Sequence, residues 1–304
     1  MPSIVVKDLS KSYGEVRAVD GINLEVRERE IFGILGPNGA GKTTTLEMIE
    51  TLRAPDSGEI SVMGLDVVKD PRAVKEILGV QLQATVFFDN LTVKETIELF
   101  ASFYPRSLPR DEVLGLVGLK DKAGAMVEGL SGGQHKRLSI ALALVSEPRI
   151  VFLDEPTTGL DPQARRRIWE IVESFREQEK TVVITTHYIE EAEHLCDRVA
   201  VMDHGRIIAQ GSPSELISRH ISESSISFTL SPPLEERILH GIPGAVDVSS
   251  RDGEYLLMTT SPQETLMGIF KVAYENGSVP DEVSMKKATL EDVFLKLTGR
   301  SLRE

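Results

Sequence analysis

Apolar residues along this chain fall into two patterns, short unbroken runs and longer helical stripes. Ile31-Phe32-Gly33-Ile34-Leu35, Ile150-Val151-Phe152-Leu153 and Thr181–Thr186 are each too short for a helix. Runs of this kind mark strands buried in a parallel sheet. Ile168, Ile171, Val172 and Phe175 recur at i, i+3, i+4 and i+7, which predicts one buried helical face. Asp161-Pro162 ahead of them offers an N-cap and a first-position proline. Leu138, Ala141, Leu142 and Val145 predict a second helix behind Ser131, another suitable cap. Thr43–Leu52 reads as a third.

Between these landmarks the pattern changes three times. Ser3–Leu9, Val16–Ala18 and Ile22–Val26 read as strands on turns, and Pro55–Gly58 as a turn. From about residue 84 to 147 the strand signal fades, while Leu91–Tyr104 and Pro109–Gly118 carry helical spacing, so a helical subdomain interrupts an α/β core. Ser222–Ser225 reads as a linker. Strands at Ile226–Leu230, Ala245–Ser249 and Glu254–Thr260 follow it, with helices at Pro262–Asn276 and Thr289–Thr298. The expected organisation is an α/β domain over 1–221 and a small α+β domain over 222–304, with no internal repeat.

Composition narrows the possibilities. A chain of 304 residues, 41% hydrophobic and 27% charged, is an ordinary globular protein with room for two domains. Its 47 acidic and 34 basic residues leave a net charge of −13, which argues against nucleic acid as a partner. Cys196 is the only cysteine, so no intrachain disulfide is expected. The first residues lack the apolar stretch of a secretory signal, and no run approaches the ~20 residues that span a bilayer. Any membrane path must come from another polypeptide.

The chemistry lies at the ends of the short apolar runs. Gly36-Pro37-Asn38-Gly39-Ala40-Gly41-Lys42-Thr43 follows the first one and matches the phosphate-loop pattern in full. Glycines there let backbone N–H groups curl around phosphates, and the helix behind adds its positive end. Lys42 would reach the β- and γ-phosphates, Thr43 would set a hydroxyl on Mg²⁺, and Thr44 belongs to the same nucleotide-contacting turn. Asp154 and Glu155 emerge from the second run, where buried carboxylates call for a cation. His187 ends the third, a place where a lone histidine is more often structural. Leu130-Ser131-Gly132-Gly133-Gln134 opens a helix, so Ser131, Gly132, Gly133 and Gln134 form a second anion-binding candidate in a chain that already has one.

Phosphate loop, Leu-Ser-Gly-Gly-Gln, apolar-Asp-Glu and histidine, in that order, resemble the ATP-binding cassette (ABC) ATPases across roughly residues 4–218. The resemblance implies a phosphate-loop NTPase (RecA-like) core with an antiparallel β subdomain and an inserted helical subdomain. It implies that Asp154 holds Mg²⁺, that Glu155 is the general base, and that His187 contacts the γ-phosphate. It places Tyr13 against adenine, Gln83 at Mg²⁺ in the Q-loop, and Asp161 in the D-loop that crosses a dimer interface. Gln81 competes with Gln83, since a period of two would put both on one strand face. The signature of one subunit would close over ATP held by a second copy. His135 departs from the usual residue just after the signature.

The same resemblance implies two ATP per dimer and a separate polytopic permease, with this subunit at the cytoplasmic face of the membrane. The C-terminal Ala288-Thr289-Leu290-Glu291-Asp292-Val293-Phe294-Leu295 resembles drug, polyketide and antibiotic exporter ATPases. Translation-type relatives carry two cassettes, and repair-type ones carry long coiled coils between the motifs; neither fits this chain. A binding-only dimerisation switch could dispense with Glu155. Val86, Phe87, Phe88 and Leu91 crowd the segment after Gln83 and are either core or an exposed groove for a permease helix.

Overall fold

The computed structural model describes residues 2–83, 85–251 and 253–300. The expected start of the helical subdomain, residue 84, lies outside them. The chain forms two compact units, one running to Pro213 and the other beginning at Ser214.

The first unit opens with β1 (Pro2–Tyr13) and β2 (Val16–Arg27), then β3 (Ile31–Leu35) and helix α1 (Lys42–Ile49). It continues through β4 (Ser57–Val62), β5 (Leu65–Asp66), α2 (Pro71–Ile77) and β6 (Leu78–Gln81). The helical stretch holds α3 (Val93–Ala101), α4 (Arg110–Leu116) and α5 (Gly132–Leu144). The core resumes with β7 (Ile150–Asp154), α6 (Pro162–Glu177), β8 (Thr181–Thr186), α7 (Ile189–Leu195), β9 (Arg198–Asp203) and β10 (Arg206–Gly211). An antiparallel sheet runs β2-β1-β4-β5, and a six-stranded sheet runs β10-β9-β3-β8-β7-β6. The five strands from β9 to β6 are parallel and β10 joins antiparallel.

Local physics explains these elements and where they depart from expectation. Every residue of β3 and β7 is buried, as unbroken apolar runs require. The strands expected at Val16–Ala18 and Ile22–Val26 are one strand, because the ladder to β1 shifts register around Asp20-Gly21 instead of breaking. α1 ends at Ile49, short of Leu52, since Thr51 adopts a φ of +62° that a helix cannot continue. Ser57 and Gly58, read as turn, already belong to β4. One buried core joins the two sheets, with Ile4, Val6 and Ile60 meeting Phe32, Phe152 and Met202.

The second unit begins one residue into α8 (Pro213–His220) and continues through β11 (Ser224–Ser231), α9 (Glu236–Leu239), β12 (Ala245–Arg251), β13 (Glu254–Thr259), α10 (Pro262–Glu275), β14 (Val279–Lys286) and α11 (Leu290–Thr298). Its sheet runs β12-β13-β11-β14, and its core includes Phe228 stacked on Tyr255 at 5.4 Å. Ser224 and Ser225, read as linker, pair with Thr259 and Met258. β14 has little apolar alternation and contains Pro280. It lies at a sheet edge, where proline and charge are tolerated and the sequence signal is weak.

Candidate functional site

Four adjacent parallel strands deliver the chemistry to one sheet edge. β3, β8, β7 and β6 are neighbours in that order, and their carboxyl ends lead to Gly36, His187, Glu155 and Gln83. Residues far apart in sequence meet there because parallel strands all end on the same side, where open α/β sheets hold their ligands.

The loop from Gly36 to Gly41 turns directly into α1. Gly41 has a φ of +102°, and a Cβ there would stand 2.2 Å from the Ala18 carbonyl oxygen, so no other residue fits. Lys42 is buried at the first helical position, and its Nζ donates to the carbonyls of Gly36 at 2.9 Å and Pro37 at 3.1 Å. It also pairs with Glu155 Oε1 at 3.2 Å. Thr43 and Thr44 follow in the first turn of α1, half-buried.

Asp154 and Glu155 part company at the end of β7. Thr43 Oγ1 donates to Asp154 Oδ2 at 3.1 Å, and Thr185 Oγ1 donates to Oδ1. Burial lifts the Asp154 carboxyl above its ordinary range, and these two hydroxyls only partly offset it. Glu155 adopts a φ of +45°, a strained conformation for a long side chain, and Thr185 holds it by accepting from its N–H. Burial alone would raise its carboxyl, yet the charge of Lys42 and then His187 leave it below its ordinary value. Thr158 Oγ1 donates to Oε2 at 3.0 Å, Gln83 Nε2 at 3.4 Å, and His187 Nδ1 stands 3.3 Å away without the alignment of a hydrogen bond.

Gln81 and Gln83 do not share a strand face, because β6 stops at Gln81. Gln81 is buried and turns its amide to the Asp154 carbonyl, while exposed Gln83 reaches Glu155. Tyr13 ends β1 half-exposed, with the Arg53 guanidinium 5.2 Å from its ring centre.

Ser131 caps α5 reciprocally: Gln134 N–H donates to Ser131 Oγ at 3.4 Å and Ser131 N–H to Gln134 Oε1 at 2.8 Å. A Cβ on Gly133 would meet that of Ala164 at 2.9 Å, so glycine lets α5 approach α6. Gly132 has nothing within 4 Å of that position, so no packing requires it. Asp161 caps α6 by accepting from Gln163 and Ala164 N–H, both at 2.9 Å. Among the described residues, no hydrogen bond or ion pair joins Ser131–Gln134 to Lys42 or Glu155. His135, outside that group, has its ring 5.7 Å from Phe87.

Sequence reading missed Thr185 and Thr158, which position both carboxylates. Their signal was faint: two hydroxyls ending an apolar run, and two more beside Gly159. Buried Glu191, which accepts from Trp169 Nε1 at 3.0 Å, was also missed; it ties the helix after His187 to α6.

Fold and site together define a phosphate-loop ATPase. The family model described as ABC transporter matches residues 19–158. Nod factor export ATP-binding protein I of Ralstonia nicotianae is 39% identical over 100% of this chain and 96% of its own length. Daunorubicin resistance ATP-binding protein DrrA3 of Streptomyces coeruleorubidus is 37% identical over 99% and 97%. A solved dimeric ATP-binding cassette in a post-hydrolysis state, bound to ADP and phosphate, matches 69% of this chain and 98% of its own. Its TM-score is 0.63 and its identity 29%. The chain belongs to the ABC transporter family, as an ATP-binding and ATP-hydrolysing subunit.

Proposed function

We propose that this chain powers an exporter: two copies close around two ATP, and hydrolysis reopens them to move the helices of a separate membrane permease. The observation that carries the hydrolytic part is Glu155. It is a buried carboxylate at a strained φ, approached by Lys42, His187, Gln83 and Thr158 at the mouth of the phosphate loop. A group held ionised beside the phosphate loop is suited to orient a water and take its proton. The water oxygen then bonds to the γ-phosphorus as the bond to ADP breaks. Lys42 and His187 are cations or donors placed for the charge that develops on the phosphate oxygens.

Mg²⁺ fits the residues present. Asp154 and Thr43 set two hard oxygens side by side, and the buried carboxylate has hydroxyl hydrogen-bond partners rather than an ion pair of its own. These two would hold the metal, with Gln83 alongside, and it would neutralise phosphate charge.

Export rests on the two relatives named above, whose own names carry export and drug resistance. A second copy is supported by Gly132, exposed at a capped helix end with nothing within 4 Å of where its Cβ would stand. A permease is supported by the segment after Gln83, where Val86 is 93% and Phe88 57% exposed, so these two are surface and not core. Beside it lies an apolar groove of about 500 Å³ between α1, β6, α3 and α5, lined by Leu52, Leu82, Phe100, Phe103 and Tyr104. A cytoplasmic helix of the permease would seat there. Among the described residues no helix is long and apolar enough to cross a membrane.

The test is Glu155→Gln. It keeps ATP binding, slows turnover by about 10²–10⁴, and turns a transient ATP-bound dimer into a long-lived one on sizing chromatography. Wild-type turnover in this variant would remove Glu155 from the mechanism.

A further inference from the structure

The docking groove holds a buried acid within its mostly apolar lining. Glu50, which caps the C-terminal end of α1, lines the groove and is 3% exposed. Its Oε1 has no hydrogen-bond partner, and no ion pair reaches the residue among the described residues. Its charged neighbours make matters worse. Burial first, then the carboxylates of Asp154 on β7 and Glu47 on α1, push the Glu50 carboxyl up to about 8. Lys75 on α2 lines the same groove but makes no ion pair with it.

A buried, unpartnered acid among like charges destabilises the isolated subunit, and an apolar or amide side chain would fill the place without that penalty. The surrounding field favours a cation, and the groove is open to deliver one. We propose that Glu50 is the charge anchor of the docking groove, pairing with a lysine or arginine carried on the apolar face of the permease's docking helix. This rests on the docking reading above and specifies the partner's chemistry. Arginine suits the place better than a neutral donor, since it answers the carboxylate with paired N–H groups and brings a positive charge that Lys75 does not deliver to it.

The experiment places a photo-crosslinking benzoylphenylalanine at Leu52, which is exposed on the groove wall. It is done in the full chain in native membranes, and the crosslinked peptide is sequenced. The expected peptide comes from a cytoplasmic segment of a polytopic membrane protein and has lysine or arginine within one helical turn of the crosslink. Replacing that cation by glutamate should weaken association on the order of a hundredfold or more, and Glu50→Lys in the same pair should restore it. A membrane segment with no cation within a turn, or a charge swap that restores nothing, overturns the pairing alone. A peptide from a soluble protein, or none, overturns the docking reading and the pairing with it.

Discussion

Glu50 and Glu155 are both buried acids near the phosphate loop, and their surroundings drive them in opposite directions. Glu155 has Lys42 and His187 beside it and stays ionised below its ordinary value. Glu50 is buried without an ion pair, beside the carboxylates of Asp154 and Glu47, and rises to about 8 from 4.5. For a carboxyl raised by folding, the stabilising contribution is fully present below about pH 4.5 and is lost as the pH rises through 8. Glu50→Gln, neutral and of the same shape, escapes that loss. Its melting temperature should therefore pull ahead of the native chain's progressively from pH 5 to 8 and then hold a constant lead. The shift sets an upper bound of about 5 kcal/mol on the difference. Parallel melting profiles across that range would show that Glu50 finds a partner or solvent in the isolated subunit.

At the scale of elements, the segment between β6 and α3 joins the nucleotide site to the groove. Gln83 at its start reaches Glu155, and Phe88 a few residues on is exposed. An exposed aromatic contributes little to the fold, so Phe88→Asp should shift the stability of the isolated subunit by no more than about 0.5 kcal/mol. The same change should abolish co-purification with the proposed permease, because it sets a charge in the proposed apolar contact. Unfolding of the variant would return Phe88 to the core and move the docking site elsewhere. α5 shows the same division of labour. Gly133 serves contact with α6, whereas Gly132 and the Ser131 cap stand at an open helix end.

At the scale of the molecule, the proposed dimer sets the open α5 terminus of one copy over ATP held on the phosphate loop of the other. Ser131→Arg puts a bulky cation where the capped helix end should meet phosphate, and Lys42→Ala empties the phosphate loop of its charge. Each variant alone should lose nearly all ATPase activity. Mixed subunits should regain part of it, since one of the two composite sites in a heterodimer is then intact. Heterodimers that form without any recovery would place both halves of the site within a single chain.

Much of this protein was legible before its structure, for a physical reason. A phosphate loop, a capped helix and a buried strand are local objects, specified by a few consecutive residues, so Gly36–Thr43, Ser131–Gln134 and Ile150–Glu155 read correctly as elements. The expected limits failed where neighbours in space decide. β2 runs through Gly21 because β1 supports it, β14 forms because β11 offers an edge, and β6 stops before Gln83. No local pattern specifies the strand order β3-β8-β7-β6, and that order brings Lys42, Glu155, His187 and Gln83 within a few ångströms. The opposed charge states of Glu50 and Glu155 belong to tertiary structure as well. Both are acids just past the end of a regular element, and only the groups folded against each one set whether it keeps its proton.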